Sequence, residues 1–472
     1  DVGCNYLHYE VWWDSDGDRA VDVLMESGNA SSNNVTIYFT ETCYHELRWY
    51  GVDYLGNNET LQVQSHYVDE TPPVTAHAFG VPYYTDGIDE WITTSTLIYL
   101  NATDLGPCQV GGYAISFRVW DMVSGWDPWV TQSTNMTTNV SEEGKHYIEF
   151  YAVDYLGNTA PLQNLSFYVD DTPPTTTKEY GSPFYVGATV SWPDGGDVNH
   201  YITSDTLIYL NSTDNCLGVN RTEYFIYRWD ESAFVEIQPW MNYTNPFSLA
   251  SIGDTNECLH RIWVRSYDTL GNLETQWKQD VMVDNTPPET TKEIGRPQRS
   301  GGLYVTTDTP IWLNTTDTGT TCCKVGCNYT HYEIWWDSDR DGTVDMLMEN
   351  GNASSNNVTI YFTETCYHEI WWYSVDYLGN NETLQVQSHY VDDTAPEITM
   401  QVGYPRYNDG GYVYVTTGTP FWINVTDDCN LSYARVWYQY DTNCDGIYAN
   451  EHLGYFYDTD DDDVISLVLY FP

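Results

Sequence analysis

Positive charge is what this chain has least of. It carries 17 Lys and Arg against 68 Asp and Glu, a formal net charge of −51 over 472 residues. Nucleic acids and anionic lipid faces are bound through basic surfaces that displace counterions from phosphate, so no nucleic acid and no anionic membrane surface is expected as a partner. Long apolar runs are missing as well. None approaches the ~20 residues of a membrane-spanning helix, and the first residues do not read as a secretory signal. None of the 11 Cys stands in the Cys-x-x-Cys spacing of zinc ribbons and redox sites. Gly-x-Ser-x-Gly, His-Glu-x-x-His and phosphate-loop motifs are absent too, and a glycosidase carboxylate pair has no positive support, so the chain is expected not to be an enzyme. Disorder does not fit either, because aromatics make up 16% of the chain, with 42 Tyr and 19 Trp. A single core rarely exceeds ~250 residues, which leaves an acidic, aromatic-rich protein of several domains.

What the chain has in abundance is repetition. Val2–Glu70 recurs as Val325–Asp393, with 58 of 69 positions identical at an offset of 323. Weaker repeats lie between. The hinge Val-Asp-x-Thr-x-Pro stands at Val68–Pro73, Val169–Pro174, Val283–Pro288 and Val391–Pro396, at intervals of 101, 114 and 108 residues. Ile-x-x-Asn-x-Thr-Asp stands at Ile98–Asp104, Ile208–Asp214 and Ile311–Asp317, and in the form Phe421–Asp427 a fourth time. Asp-x-x-Gly-Asn ends at Asn57, Asn158, Asn272 and Asn380. These landmarks divide the chain into a partial repeat 1–73, repeats 74–174, 175–288 and 289–396, and a partial repeat 397–472.

Each repeat reads as all-β. Runs such as Tyr332–Trp336, Val358–Phe362 and Glu369–Val375 are short, aromatic or β-branched, and bounded by Gly, Asn, Asp and Pro. In Asp53–Asn57 the Gly falls where a hairpin needs positive φ, and the Asp caps the turn. Seven or so short strands in ~105 residues is the sandwich pattern. The doubled motif, Tyr50–Asn57 with Val68–Pro73, Tyr151–Asn158 with Val169–Pro174 and Tyr373–Asn380 with Val391–Pro396, resembles the Ig-like repeats of bacterial and archaeal surface proteins. That resemblance implies a tandem array of Ig-like or fibronectin-III-like β-sandwiches. It implies no single function, because the fold serves adhesion, spacing, sugar binding and surface layers alike.

The partial repeats carry an expectation of their own. Asp1 aligns with Lys324, so the first repeat has no counterpart of Leu303–Asn314. Pro472 falls at the counterpart of Val358–Phe362, so the last has none of Glu364–Val391. Two readings stand: a window of a longer array, or completion between copies of the chain by strand donation, a head-to-tail contact that propagates a filament. Strands such as His8–Trp13 and Tyr433–Tyr438 occur in both fragments and weigh against the second.

Seventeen Asn stand in Asn-x-Ser/Thr sequons: Asn29, Asn34, Asn58, Asn101, Asn135, Asn139, Asn164, Asn211, Asn220, Asn242, Asn314, Asn328, Asn352, Asn357, Asn381, Asn424 and Asn430. Chance supplies roughly 6, so the excess favours N-linked glycans, and scattered Cys favour an oxidising, extracellular setting. Cys4 with Cys43, Cys327 with Cys366, and Cys216 with Cys258 read as sheet-to-sheet disulfides, each stabilising by ~2–4 kcal/mol. Metal is the competing reading, because His8 and His45 lie near Cys4 and Cys43. Cys429 has Cys444 available, whereas Cys108, Cys322 and Cys323 have no assigned partner.

Three acidic loops follow the first half of a calcium loop, with oxygen ligands at positions 1, 3 and 5. They are Asp14, Asp16, Asp18 and Asp22; Asp337, Asp339, Asp341 and Asp345; and Asp441, Asn443 and Asp445 with Glu451. They resemble EF-hand and dockerin loops but lack the bidentate Glu at position 12, where Met25, Met348 and His452 stand; a solvated acidic turn is the competing reading. The Trp pairs Trp12–Trp13, Trp335–Trp336 and Trp371–Trp372 fit either core packing or a carbohydrate-stacking face. Together these readings describe a calcium-stabilised structural glycoprotein of an extracellular filament, sheath or surface layer, with copies of itself and surface polysaccharide as the expected partners. The second reading is an adhesin or carbohydrate-binding region.

Overall fold

The computed structural model describes the chain apart from residues 1, 32–33, 107, 193–195, 320–322, 430–432, 441–449, 458–463 and 471–472, and the side chains of 440, 450–453, 455 and 457. Among the described residues regular structure is β, with two short 3₁₀ turns at Ala250–Ile252 and Ser300–Gly302. Among the described residues no helix is long and apolar enough to cross a membrane.

Residues 74–174 show the plan most fully. One sheet orders Met136–Thr138, Ile98–Thr103 and Val74–Phe79. The facing sheet orders Gly125–Trp126, Tyr113–Asp121, Gly144–Asp154, Gln163–Val169, Glu90–Ile92 and Tyr83–Thr85. Pairing is antiparallel except where the last long strand, Gln163–Val169, meets Glu90–Ile92 in parallel. Two facing sheets of this kind make an Ig-like or fibronectin-III-like sandwich. The same parallel step joins Asp197–Ile202 to Trp277–Val283 and Tyr304–Val305 to Gln385–Val391. Residues 4–68 form one four-stranded sheet ordered Val23–Ala30, Cys4–Trp13, Cys43–Asp53 and Gln62–Val68. After residue 396, Glu397–Val402, Phe421–Thr426 and Val464–Leu469 form a three-stranded sheet, beside the hairpins Arg406–Asn408/Val413–Val415 and Tyr433–Tyr440/Asn450–Tyr457.

Two-residue alternation places the core. Along Gly144–Asp154 the side chains of His146, Ile148, Phe150, Ala152 and Asp154 point inward, and along Ile98–Thr103 those of Ile98, Leu100 and Ala102 do. The apolar ones meet Ile115, Phe117 and Phe167 in one buried cluster. Each large apolar side chain in it contributes about 1.5–3 kcal/mol by leaving water. The third and fourth repeats also bury polar groups. Thr176, Ser212, Ser266 and Glu274 form one closed hydrogen-bonded network, and Thr290, Thr315, Thr330, Ser374 and Glu382 another. Every member has partners, which is what permits burial.

The five repeats do not stand as five separate bodies. The chain divides into two compact units, Asp1–Thr177 with Leu210–Glu223 and Val264–Trp277, and Lys178–Tyr209 with Tyr224–Trp263 and Lys278–Pro472. Residues 175–288 contribute to both. The reason is burial at repeat boundaries. Within the second unit, Tyr201, Cys258 and Met282 share a buried cluster with Cys323, Val325 and Leu378 of the following repeat. Tyr185 stacks on Tyr377 across the same boundary, ring centroids 4.5 Å apart.

One turn recurs throughout. In Asp154–Asn158, Asp154 Oδ1 accepts from the Leu156 and Asn158 amides at 2.8 Å each, and Oδ2 accepts from Asn158 Nδ2 at 2.7 Å. Gly157 sits at φ 92°, and a Cβ there would meet nothing within 4 Å, so backbone conformation and not space requires the glycine. Gly157→Ala is therefore expected to lower the stability of its repeat by about 1–2 kcal/mol without touching the core, read as a downward shift in that repeat's denaturant midpoint.

Candidate cation sites and junction cysteines

The acidic loops bring their first three carboxylates together. Asp14, Asp16 and Asp18 each offer an oxygen within 4.8 Å of the others, as do Asp337, Asp339 and Asp341. Asp14 and Asp337 are buried at the end of a strand, and their oxygens accept loop amides: Gly17 and Arg19 for Asp14, Asp341 and Gly342 for Asp337. Asp341 charge, then desolvation, pushes the Asp339 carboxyl above its ordinary value. Asp22 and Asp345 are engaged elsewhere. Each accepts from the backbone and side chain of a serine, Ser15 or Ser338, which holds its carboxyl below the usual range. The expectation that these two replace the missing position-12 ligand therefore meets a competing hydrogen-bonded role. The third loop, Asp441, Asn443, Asp445 and the Glu451 side chain, lies outside the described residues, as do Asn430, Cys322 and Cys444.

The cysteine pairing has to be corrected. Cys4 and Cys43 do lie on paired strands, but antiparallel register sets Cys4 opposite Asp53 and Cys43 opposite Val68, at the two ends of the ladder. At ~3.3 Å per residue that separates them by about 30 Å. Cys327 and Cys366 are parted the same way, opposite Asp376 and Val391. Cys43 is instead disulfide-bonded to Cys108, Cα–Cα 4.8 Å, in the loop of the next repeat. The bond staples one repeat to its successor. Cys258 and Cys323 repeat that 65-residue separation and share one buried cluster. Cys366 Sγ donates to the carbonyl of Asp428, next to Cys429. Cys216, in the pairing expected with Cys258, is exposed in the loop that begins at Asp214.

Backbone conformation marks the same position. Cys43, Cys258 and Cys366 open their strands at φ 92°, 137° and 79°, a region that disfavours any residue but glycine. In repeat 74–174 the equivalent residue is Gly144, at φ 108°. Strain retained at three Cys where repeat 74–174 uses Gly points to a role for the thiol. The neighbouring histidines serve the backbone: Nδ1 of His45, His260 and His368 bonds the carbonyl of Cys43, Cys258 and Cys366 at 3.0–3.1 Å.

A second group of carboxylates was missed by sequence reasoning. At two boundaries the hinge Asp, the Asp ending Ile-x-x-Asn-x-Thr-Asp and the Asp opening Asp-x-x-Gly-Asn come together, and at a third the same three positions are buried. Asp69, Asp104 and Asp154 are all buried and offer oxygens within 4.8 Å of one another; so do Asp170, Asp214 and Asp268. Asp284, Asp317 and Asp376 are the corresponding buried residues at the next boundary. The hinge Asp takes the loop amide of the following repeat: Val110 to Asp69 at 2.8 Å, Leu217 to Asp170 at 3.3 Å, Val325 to Asp284 at 2.7 Å. The turn Asn returns the contact by donating to the hinge carbonyl: Asn158 to Asp69 at 2.9 Å, Asn272 to Asp170 at 2.9 Å, Asn380 to Asp284 at 3.2 Å.

Burial pushes the Asp284 carboxyl up to about 7, opposed by the Val325 amide and reinforced by Asp317 and Asp376. Asp170 rises to about 6 through burial, opposed by the Leu217 amide and reinforced by Asp214 and Asp268. Carboxyls raised this way contribute stability in acid, and lose it as pH climbs through about 6 to 7. The boundaries at Asp170 and Asp284 are therefore weaker once these carboxyls are ionised.

Most of the Trp pairs pack within the sheets. Trp12 Nε1 donates to Glu10 and Trp13 Nε1 to the Thr42 carbonyl; Trp335 and Trp336 repeat this with Glu333 and Thr365. Trp372 is buried against Lys292. All sixteen described sequon Asn are exposed or half-buried.

No protein-family model matches the sequence, and no curated protein matches it. Among solved structures, the chain is similar to the tetra-tandem repeat in the extending region of a large adhesion protein, at 13% identity over 84% of this chain and 94% of that one, TM-score 0.29. It is similar to the FN1–FN3 domains of chicken CNTN1, at 10% identity over 68% and 98%, TM-score 0.24. A 1.5-MDa bacterial ice-binding adhesin is a third, at 10% identity over 69% and 99%, TM-score 0.29.

Non-reducing peptide mapping tests the corrected pairing. It is expected to recover Cys43 linked to Cys108 and Cys258 linked to Cys323; recovery of Cys4 linked to Cys43 contradicts the register.

Proposed function

We propose that the chain is a structural element of the extracellular surface, a glycosylated array of Ig-like sandwiches that serves as part of a filament, sheath or surface layer. The observation that carries this reading is the boundary between repeats. Asn158, Asn272 and Asn380 make the same contact to the preceding hinge, so the chain repeats a joint as faithfully as it repeats a fold. A joint that is reproduced along a chain fixes spacing and resists bending, which is a mechanical task. Exposed or half-buried sequons favour a glycan coat, and the carboxylate loops at Asp14–Asp18 and Asp337–Asp341 favour bound calcium that offsets self-repulsion in a chain of charge −51. Copies of the chain and surface polysaccharide are the partners this reading calls for, and a catalytic role has no support in it.

An adhesin is the second reading, favoured by Trp126 and Trp129, both exposed and both stacked on Arg118 at 4.4 and 4.8 Å. Such rings suit a sugar face. Electron microscopy of native material, with glycan-array binding of the purified chain, decides between them. Ordered polymer without glycan selectivity is expected. Selective glycan binding by dispersed single chains overturns the structural reading in favour of the adhesin.

A further inference from the structure

We infer that the carboxylate triads at the repeat boundaries are divalent-cation sites of the calcium type, one per boundary, separate from the acidic loops. Most carboxylate oxygens in these triads are already hydrogen-bonded. At the first boundary Asp69 accepts from Thr71 and Val110 amides, and Asp154 from Leu156, Asn158 and the Asn158 side chain. Asp104 accepts from Gly111 through Oδ2 alone. Its Oδ1 is buried, with no hydrogen-bond partner, in a residue only 6% exposed. The same atom is left over at the other boundaries: Asp214 Oδ1 and Asp317 Oδ1 are buried and unpartnered as well, Asp317 being 8% exposed.

A buried carboxylate oxygen without a partner costs free energy, and native proteins leave few of them. The buried Glu274, with both carboxylate oxygens accepting from Thr176, shows that this fold satisfies an inward acid when only structure is at stake. Here the unsatisfied atom belongs to the same motif position three times, and at Asp104 and Asp214 two further carboxylates from the same two motifs lie within 4.8 Å. Amide donors favour the ionised form of the groups they bind, so the arrangement holds negative charge in place while leaving one side of it bare. A hard cation with oxygen ligands completes such a set, with waters or carbonyls filling the six to eight positions calcium takes. Because the hinge Asp belongs to one repeat's end and the other two to the next repeat, occupancy would clamp the joint. Cation supply then becomes a control on how firmly repeats are coupled.

The experiment uses the full chain, stripped with chelator and titrated with calcium chloride alone, counting ions per chain by calorimetry and by elemental analysis after dialysis. Asp104→Asn and Asp214→Asn are each expected to remove one ion, together two, while Asp16→Asn leaves those two in place. Melting is expected to rise with calcium by at least about 4 °C in the wild type and by less in the double variant. Unchanged stoichiometry in Asp104→Asn and Asp214→Asn overturns the proposal and assigns any bound ions to the loops. Should a variant fail to fold, calcium anomalous scattering from wild-type crystals grown with calcium decides: a peak among Asp69, Asp104 and Asp154 supports the site, and none there overturns it.

Discussion

The structure depends on a side-chain amide. The Asn that closes each Asp-x-x-Gly-Asn turn donates inward to its own Asp, at 2.7 Å in Asn158, Asn272 and Asn380, and outward to the carbonyl of the preceding hinge. Two planar N–H donors are what makes this double contact available; a carboxylate at that position has none. The turn holds the Asn, the Asn holds the hinge, and the hinge Asp takes the next loop's amide. Local turn chemistry thus becomes the joint between domains.

Charge works against this joint. A chain of −51 repels itself, and three carboxylates are gathered where burial raises the cost of ionisation. Other forces hold the boundary against that repulsion: the Cys43–Cys108 bond, the cluster of Tyr201, Met282, Val325 and Leu378, and the stacking of Tyr185 on Tyr377. The carboxylates are then less a source of cohesion than a means of making cohesion conditional on protons.

Much of the sandwich was legible in the sequence, because inward-facing residues alternate along strands such as Gly144–Asp154 and the turn motifs fall between them. Strand parity was readable, but ladder position was not. Cys4 and Cys43 sit on neighbouring strands, yet antiparallel pairing sends them to opposite ends, and only register reveals it. The equal spacing of Cys43 to Cys108 and Cys258 to Cys323 was the available signal for the correct partners. The triads were hidden by distance along the chain, since Asp69, Asp104 and Asp154 come from separate motifs. Their signal was parity: Phe150, Ala152 and Asp154 share the inward face, so the turn Asp had to be buried as well as capping.

The joint between repeats rests on hinge carboxylates capturing loop amides of the following repeat, and hydrogen exchange of the full chain reads those amides one by one. Val110, Leu217 and Val325 lie outside regular strands, yet each donates to a hinge Asp. They are predicted to exchange as slowly as strand amides such as that of Ile148, and to lose that protection in Asn158→Ala, Asn272→Ala and Asn380→Ala at the matching boundary. Exchange at the rate of exposed loop amides in the wild type would contradict the joint as described.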